Sequence, residues 1–235
     1  MAQNDDFAFP EDDENRARRL AAIRAHWDRA TNGMANRDAW FNDKIVPMYN
    51  EPTRYYHTLV HLEEMIGYLE RLDYDVAKDY QTLVLTILFH DVVYDPMSAT
   101  NEEDSVKLFE KFWSESDQGD EEVKARVVRY ILATKQHTAT EEDACAQLLL
   151  DIDMAVLGKH LGAYWEYASL IRREYSFVNH DLYCAKRAEV LKGFLENPIF
   201  GTRVLKDAFE EQARANLKAE IESLERGLIP GEETG

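Results

Sequence analysis

The stretch RYYHTLVHLEEM, Arg54 to Met65, holds two of the chain's seven histidines, His57 and His61. Four apart on a helix, they project from the same side and can address one point in space. Taken singly, either could be a hydrogen-bonded structural residue, so the question is what else can meet them. A second stretch, FHDVVYDP, ends a strongly apolar run with His90 and Asp91. An adjacent imidazole and carboxylate are costly there unless their charge is compensated. A third, LLLDIDMAVLG, sets Asp151 and Asp153 in another apolar helix. Residues two apart stand about 200° from each other around a helix, so one of the pair faces inward. His61, His90, Asp91 and one of these aspartates make a mixed nitrogen and oxygen set. Such a set suits a divalent ion, with positions left for water. Mn, Fe, Co, Ni, Zn or Mg is expected, at one or two ions per chain.

The motifs YHTLVH, then HD, then a later Asp resemble, in this order, the His-Asp (HD) superfamily of metal-dependent phosphohydrolases. Tyr56-His57-x-x-x-His61 is also similar to the equivalent segment of cyclic-nucleotide phosphodiesterases, distant members of that superfamily. Most of the chain resembles a bacterial group of HD proteins, in RYYHTLVH, FHDVVYDP followed by NEEDS, ATKQH, DIDMAVLG, IRREY and the closing ARANL. The resemblance implies a metal centre held by His61, His90, Asp91 and Asp153. Asp153 is preferred to Asp151 because DMAVL resembles the helix that bears the family's last metal carboxylate. His57 is then no ligand but the acid that protonates the leaving group. The implied reaction is hydrolysis of a small phosphate ester, with a nucleotide as substrate by resemblance alone. A divalent ion lowers the pKa of bound water from about 15.7 toward about 7, and the resulting hydroxide attacks phosphorus. Asp91, with two oxygens, could bridge to a second, mostly hydrated ion. Two rival readings stand beside this one. Some HD-fold proteins hold a di-iron centre and activate oxygen, but they need further histidines, and only His137 is at hand. Alternatively, the chain is a non-catalytic module that binds a nucleotide and reports it to a partner.

Other side chains are candidates for the same site. Glu102 follows the HD motif at a helix start and could orient a metal-bound water, or simply be an acid favoured by the helix dipole. Lys135 and His137, in ATKQH, could hold phosphate oxygens, His137 could serve a second metal, or both could cap a helix C-terminus. Arg54, three before His57, is placed to bind a substrate phosphate if the helix starts that early. His26, His160 and His180 are expected to be structural or on the surface. Arg172, Arg173, Arg187 and Arg214 are expected to pair with the many carboxylates. Tyr164, Trp165, Tyr167 and Tyr175 read as core rather than as a base-stacking platform.

These residues need rigid elements to bring them together, and the pattern is helical almost throughout. With 235 residues, 45% of them hydrophobic, the chain can bury a sizeable core. Ten glycines and six prolines leave long uninterrupted runs. Helices are expected over 16–30, 39–50 (with Pro47 ending or kinking the second), 57–72, 79–94, 101–113, 121–136, 141–158, 164–178, 181–197 and 203–227. The expected architecture is all-α, a single HD-type helical bundle over 13–228 with solvated tails at 1–12 and 229–235. The net charge of −18 argues against nucleic-acid polymers and anionic membranes as partners. A small anionic substrate is compatible with that charge only if a metal or a local basic cluster reverses the field at the site. A homo-oligomer is possible. Cys145 and Cys184 are expected as reduced thiols. The N-terminus lacks a basic and apolar leader, and no apolar run nears the roughly 20 residues of a membrane span. The expected location is cytoplasmic.

Overall fold

Apolar residues recurring at helical spacing, with few breakers among them, fold as that pattern demands. This computed structural model describes residues 13–71, 79–117, 119–137 and 143–229, and among them every regular element is helical. The first half of the chain forms α1 (Asp13–Ala30), α2 (Arg37–Trp40), α3 (Val46–Tyr49), α4 (Leu59–Arg71), α5 (Tyr80–Phe89) and α6 (Asn101–Glu115). The second half forms α7 (Glu121–Thr134), α8 (Ala144–Asp153), α9 (Leu161–Glu174), α10 (His180–Leu195) and α11 (Arg203–Glu225). The all-α class is therefore observed. No described helix is long and apolar enough to cross a membrane. The expected tails at 1–12 and 230–235 lie outside the described residues. Ile229, on the tail side of the expected boundary, is buried in the core instead.

Helix α5 is the centre of the packing. Every residue from Thr82 to Phe89 is buried, and the helix contacts α1, α4, α6, α7 and α8. A helix apolar all round must be enclosed, and its neighbours show how: each offers one apolar stripe to α5. Its interior threonine costs little, because the Thr86 hydroxyl donates to the Thr82 carbonyl at 2.7 Å. Several of the surrounding helices begin on residues that satisfy their first free amides. Asp120, Asp143 and Asn179 accept from the backbone of Glu122, Ala146 and Leu182 at the starts of α7, α8 and α10. His160 does the same for Ala163 at α9. Cys145 and Cys184 are buried and form no disulfide among the described residues.

Two local departures from the expected elements have physical causes. Pro47 neither ends nor breaks its helix. A π-helical segment, Phe41–Ile45, precedes α3 and widens the turn that receives the proline. Proline has no N–H and its ring clashes with the carbonyl four residues back, so a widened turn relieves both problems. The helix carrying His61 starts at Leu59, two residues after His57. His57 therefore lies in the turn before α4, and the two histidines meet through that turn rather than on one helical face.

Because α5 ends on Phe89, whose ring stacks on Phe112 at 5.4 Å and meets Phe109 at 5.2 Å, truncation there should open a central void. Phe89→Ala is expected to cost about 3–5 kcal/mol in urea unfolding. A loss below about 1 kcal/mol would contradict the central position of this helix.

Candidate metal centre

The enclosed α5 delivers its last residues to a place where polar groups from three helices gather. His90 caps its C-terminus and is 1% exposed, and Asp91 follows in the turn. Helix α4 brings His61 from one side, and Asp153, the last residue of α8, comes from another. His61 Nε2 lies 3.3 Å from His90 Nε2 and 3.1 Å from Asp153 Oδ1. His90 Nε2 lies 3.0 Å from Asp91 Oδ2 and 3.7 Å from Asp153 Oδ1. His61, His90 and Asp91 alone form a group able to hold a metal ion, with ligand atoms all within 4.8 Å of one another.

These separations allow a test of fit. Nitrogen and oxygen ligands about 2.0–2.2 Å from one ion stand roughly 3.0–3.6 Å apart at neighbouring vertices. The His61–His90, His61–Asp153 and His90–Asp91 separations fall in that range, and His90–Asp153 at 3.7 Å lies just outside it. The outer contacts agree. His90 Nδ1 donates to the Ile87 carbonyl at 2.9 Å, which leaves the Nε2 lone pair for a ligand bond. Both carboxylates stay ionised. Burial pushes Asp91 up, but His90 and His57 beside it hold its carboxyl well below the usual range. Burial likewise opposes ionisation of Asp153, and hydrogen bonds from His137 and His61 overcome it. His90 shows the other side of this balance: burial lowers it, and Asp91 and Asp153 raise it to about 9.

The two aspartates of DID separate cleanly. Asp151 accepts from the amides of Gly201 and Thr202 at 2.9 and 2.6 Å, from the Thr202 hydroxyl, and from Gln147. It is committed to anchoring the start of α11, while Asp153 meets the histidines.

His57 stands beside this group. Its Nδ1 contacts Glu174 Oε2 at 2.7 Å, and its Nε2 lies 3.9 Å from Asp91 Oδ2, beyond hydrogen-bond length. Glu174, at the end of α9, is the residue that the motif reading missed. Its Oε1 accepts from the amides of Tyr55, Tyr56 and His57 at 2.8, 2.8 and 3.0 Å, and its Oε2 also accepts from the Tyr94 hydroxyl. This carboxylate organises the turn before α4, and for that reason His57 sits outside the helix. A signal did exist: Glu174 falls in register with the buried stripe Tyr164, Ala168 and Ile171. Burial raises the Glu174 carboxyl, and His57 with the three amides lowers it further, to about 2. The imidazole responds oppositely; burial lowers it, and Glu174 and Asp91 raise it above its ordinary value.

Arg54 requires a correction. Its side chain is fully buried, and its guanidinium donates to the carbonyls of Asp91 at 2.6 Å, Val92 at 2.8 Å and His57 at 3.3 Å. Its Nε pairs with Glu51. Every nitrogen is spent holding the turn that bears Asp91, so none is left for a substrate phosphate.

A cavity of about 440 Å³ opens over the cluster, and His57, His90, Asp91 and Asp153 line it. Glu102, Lys135 and His137 line it too. Lys135 Nζ is held by Glu103 at 2.6 Å and by the Ala99 carbonyl, with Glu102 at 3.7 Å. His137, in the left-handed conformation at φ 49°, places Nε2 3.3 Å from Asp153 Oδ2. Tyr167 and Tyr175, expected in the core, also line the cavity, as does Arg187. No family model, curated protein or solved structure matches this chain.

The division of labour between the aspartates has a direct check. Asp153→Asn is expected to remove most Mn²⁺ binding in a titration. Asp151→Asn should retain it while costing about 1–3 kcal/mol of stability. Equal ion binding by both variants would overturn the assignment. Glu174 gives a pH signature. Its folded-state pKa is depressed, so its contribution is present above the ordinary carboxylate range and is lost as pH falls through about 2. Glu174→Gln should therefore be about 1–3 kcal/mol less stable at pH 7 and lose less stability than wild type between pH 5 and pH 2. Parallel acid-unfolding curves for the two proteins would refute this.

Proposed function

We propose that this chain is an HD-type metal-dependent phosphohydrolase acting on a small phosphate ester, with nucleotides as the favoured class. The observation that carries this reading is the pairing of two unlike histidines. His61 is 3.1 Å from Asp153 within the ligand cluster, whereas His57 beside it keeps Nε2 out of the cluster and gives Nδ1 to a carboxylate. Composition of the ligand set supports the same conclusion, since mixed imidazole and carboxylate donors suit a divalent ion. A bound ion would supply an acidified water and offset charge on the phosphoryl oxygens.

The remaining chemistry belongs to the chain. Glu174 and Asp91 raise the His57 pKa, which favours a proton on Nε2 while Nδ1–H is held by Glu174. As the ester P–O bond breaks, Nε2 gives its proton to the departing oxygen, and the neutral imidazole keeps the tautomer that Glu174 selects. Glu102 is positioned on the cavity wall to accept a hydrogen bond from the attacking water. Lys135 contributes a cationic donor for phosphate oxygens by exchanging its contact with Glu103, and His137 offers a ring N–H on the same wall. A divalent ion at the cluster would reverse the local field, which would reconcile an anionic substrate with a chain of net charge −18.

One observation favours a second reading. His137 lies against Asp153 and supplies a further histidine for a dinuclear, oxygen-activating centre. Metal content together with oxygen uptake separates the two.

The test of the main reading compares His57→Ala and His61→Ala on an alkyl phosphate and on 4-nitrophenyl phosphate. His57→Ala should keep its metal and lose about 10²–10⁴-fold in rate on the alkyl ester. The loss should be smaller on the nitrophenyl ester, whose leaving group departs without a proton. His61→Ala should lose metal and activity on both. An equal loss on both esters for His57→Ala, or loss of its metal, would rule out the acid role.

A further inference from the structure

The ligand cluster accounts for one end of the cavity, and a buried guanidinium on the wall remains unexplained. Arg187, on α10, lines the cavity with its side chain 11% exposed. Its Nε donates to Glu220 Oε1 at 2.9 Å, and its Nη2 reaches Glu220 Oε2 at 3.3 Å and the Tyr167 hydroxyl at 3.5 Å. Its Nη1 has no partner among the described residues. No described buried side-chain nitrogen or oxygen lacks a partner, so Nη1 is not sealed in the core. Arg187 lines the cavity, which we take as the space open to Nη1.

Helix packing does not call for such a group. An apolar pair of similar volume joins two helices without the cost of desolvating two charges. What an arginine adds is a rigid fork whose unused nitrogen presents two directed donors. Glu220, itself 1% exposed, already balances the positive charge. The free nitrogen therefore offers direction with little net charge, which favours a neutral acceptor over a second anion.

The surroundings define what carries that acceptor. Tyr167, Tyr175, Val190 and Phe194 line the same cavity and present flat or apolar surface. Tyr56 joins this wall to the ligand cluster, with its ring 4.7 Å from Tyr167 and 5.0 Å from His61. Arg187 thus lies two aromatic rings from a metal ligand, within reach of the far end of a planar group whose phosphate sits at the cluster.

We infer that Arg187 is a specificity-determining residue whose unpaired Nη1 receives a neutral carbonyl-type acceptor on a planar, ring-bearing phosphate ester, as in an oxo-substituted nucleobase. The inference rests on the phosphate-ester reading. Its test must fail separately from that reading, and non-hydrolysable phosphonates allow this. Binding of phenylphosphonate, 4-carbamoylphenylphosphonate and 4-carboxyphenylphosphonate to the full, Mn²⁺-loaded chain would be measured by calorimetry. Two variants accompany wild type. Arg187→Lys keeps a charge opposite Glu220 but lacks the fork. Arg187→Met with Glu220→Gln leaves no unpaired charge and keeps a partner for the Tyr164 hydroxyl.

Wild type is expected to bind the carbamoyl compound about tenfold tighter than phenylphosphonate, the weight of one hydrogen bond. Both variants should bind those two alike. Equal binding by wild type would overturn the inference and leave the phosphate-ester reading standing. Tightest binding of the carboxy compound would also overturn it, in favour of a second anion. Persistence of the preference in both variants would remove Arg187 from the role. Binding of none of the three would overturn both readings.

Discussion

Helix α5 ends by setting His90 in the core and Asp91 at its edge, where an isolated ionised group costs several kcal/mol even after relaxation. The helix that leads to them is enclosed by five others, which fixes where the pair sits. Compensation has to come to it, and the fold brings it from three directions: His61 on α4, Asp153 on α8, and the His57 turn. The collected groups include both signs of charge, and His61, His90 and Asp91 among them form a group that could hold a metal ion.

A second layer holds this arrangement in place by dividing backbone donors from backbone acceptors. Around residues 54–57, Arg54 serves the carbonyls and Glu174 serves the amides. Arg54 thereby fixes the turn carrying Asp91, and Glu174 fixes the turn carrying His57. Charge-assisted hydrogen bonds are shorter and stronger than neutral ones, so these contacts hold two irregular segments in place. The irregularity is useful. A strictly helical His57 would lie one turn from His61 on the same face, whereas the turn lets one histidine join the cluster and the other stand apart with its own carboxylate.

The global and local charges play different parts. At physiological salt, exposed charges more than about 8 Å away are largely screened, so most of the acidic surface has little weight within the cavity. What a ligand meets there is set by His57, His137, Lys135 and Arg187 against partners that each already hold in part. A cation with a resident counter-ion acts through directed donors more than through net charge. That distinction underlies both the exchange at Lys135 and the acceptor preference inferred for Arg187.

The sequence by itself determined the helical class, the approximate span of most helices, and the buried character of α5, because those depend on periodicity within a dozen residues. It also marked where histidines and carboxylates interrupt apolar runs, since an uncompensated group there is costly wherever the chain goes. It could not decide which partner each charge would find. Arg54 and Arg187 look alike as letters, yet Arg54 is consumed by carbonyls of the Asp91 turn, while Arg187 pairs with Glu220 and lines the cavity. Asp151 and Asp153 share one helix and differ because Thr202, some fifty residues on, claims the first. Glu174 acts on residues more than a hundred positions earlier. These choices arise from helix against helix, where directed hydrogen bonds must be met within a few tenths of an ångström. Local pattern carries no information at that range, so only the tertiary structure could settle them.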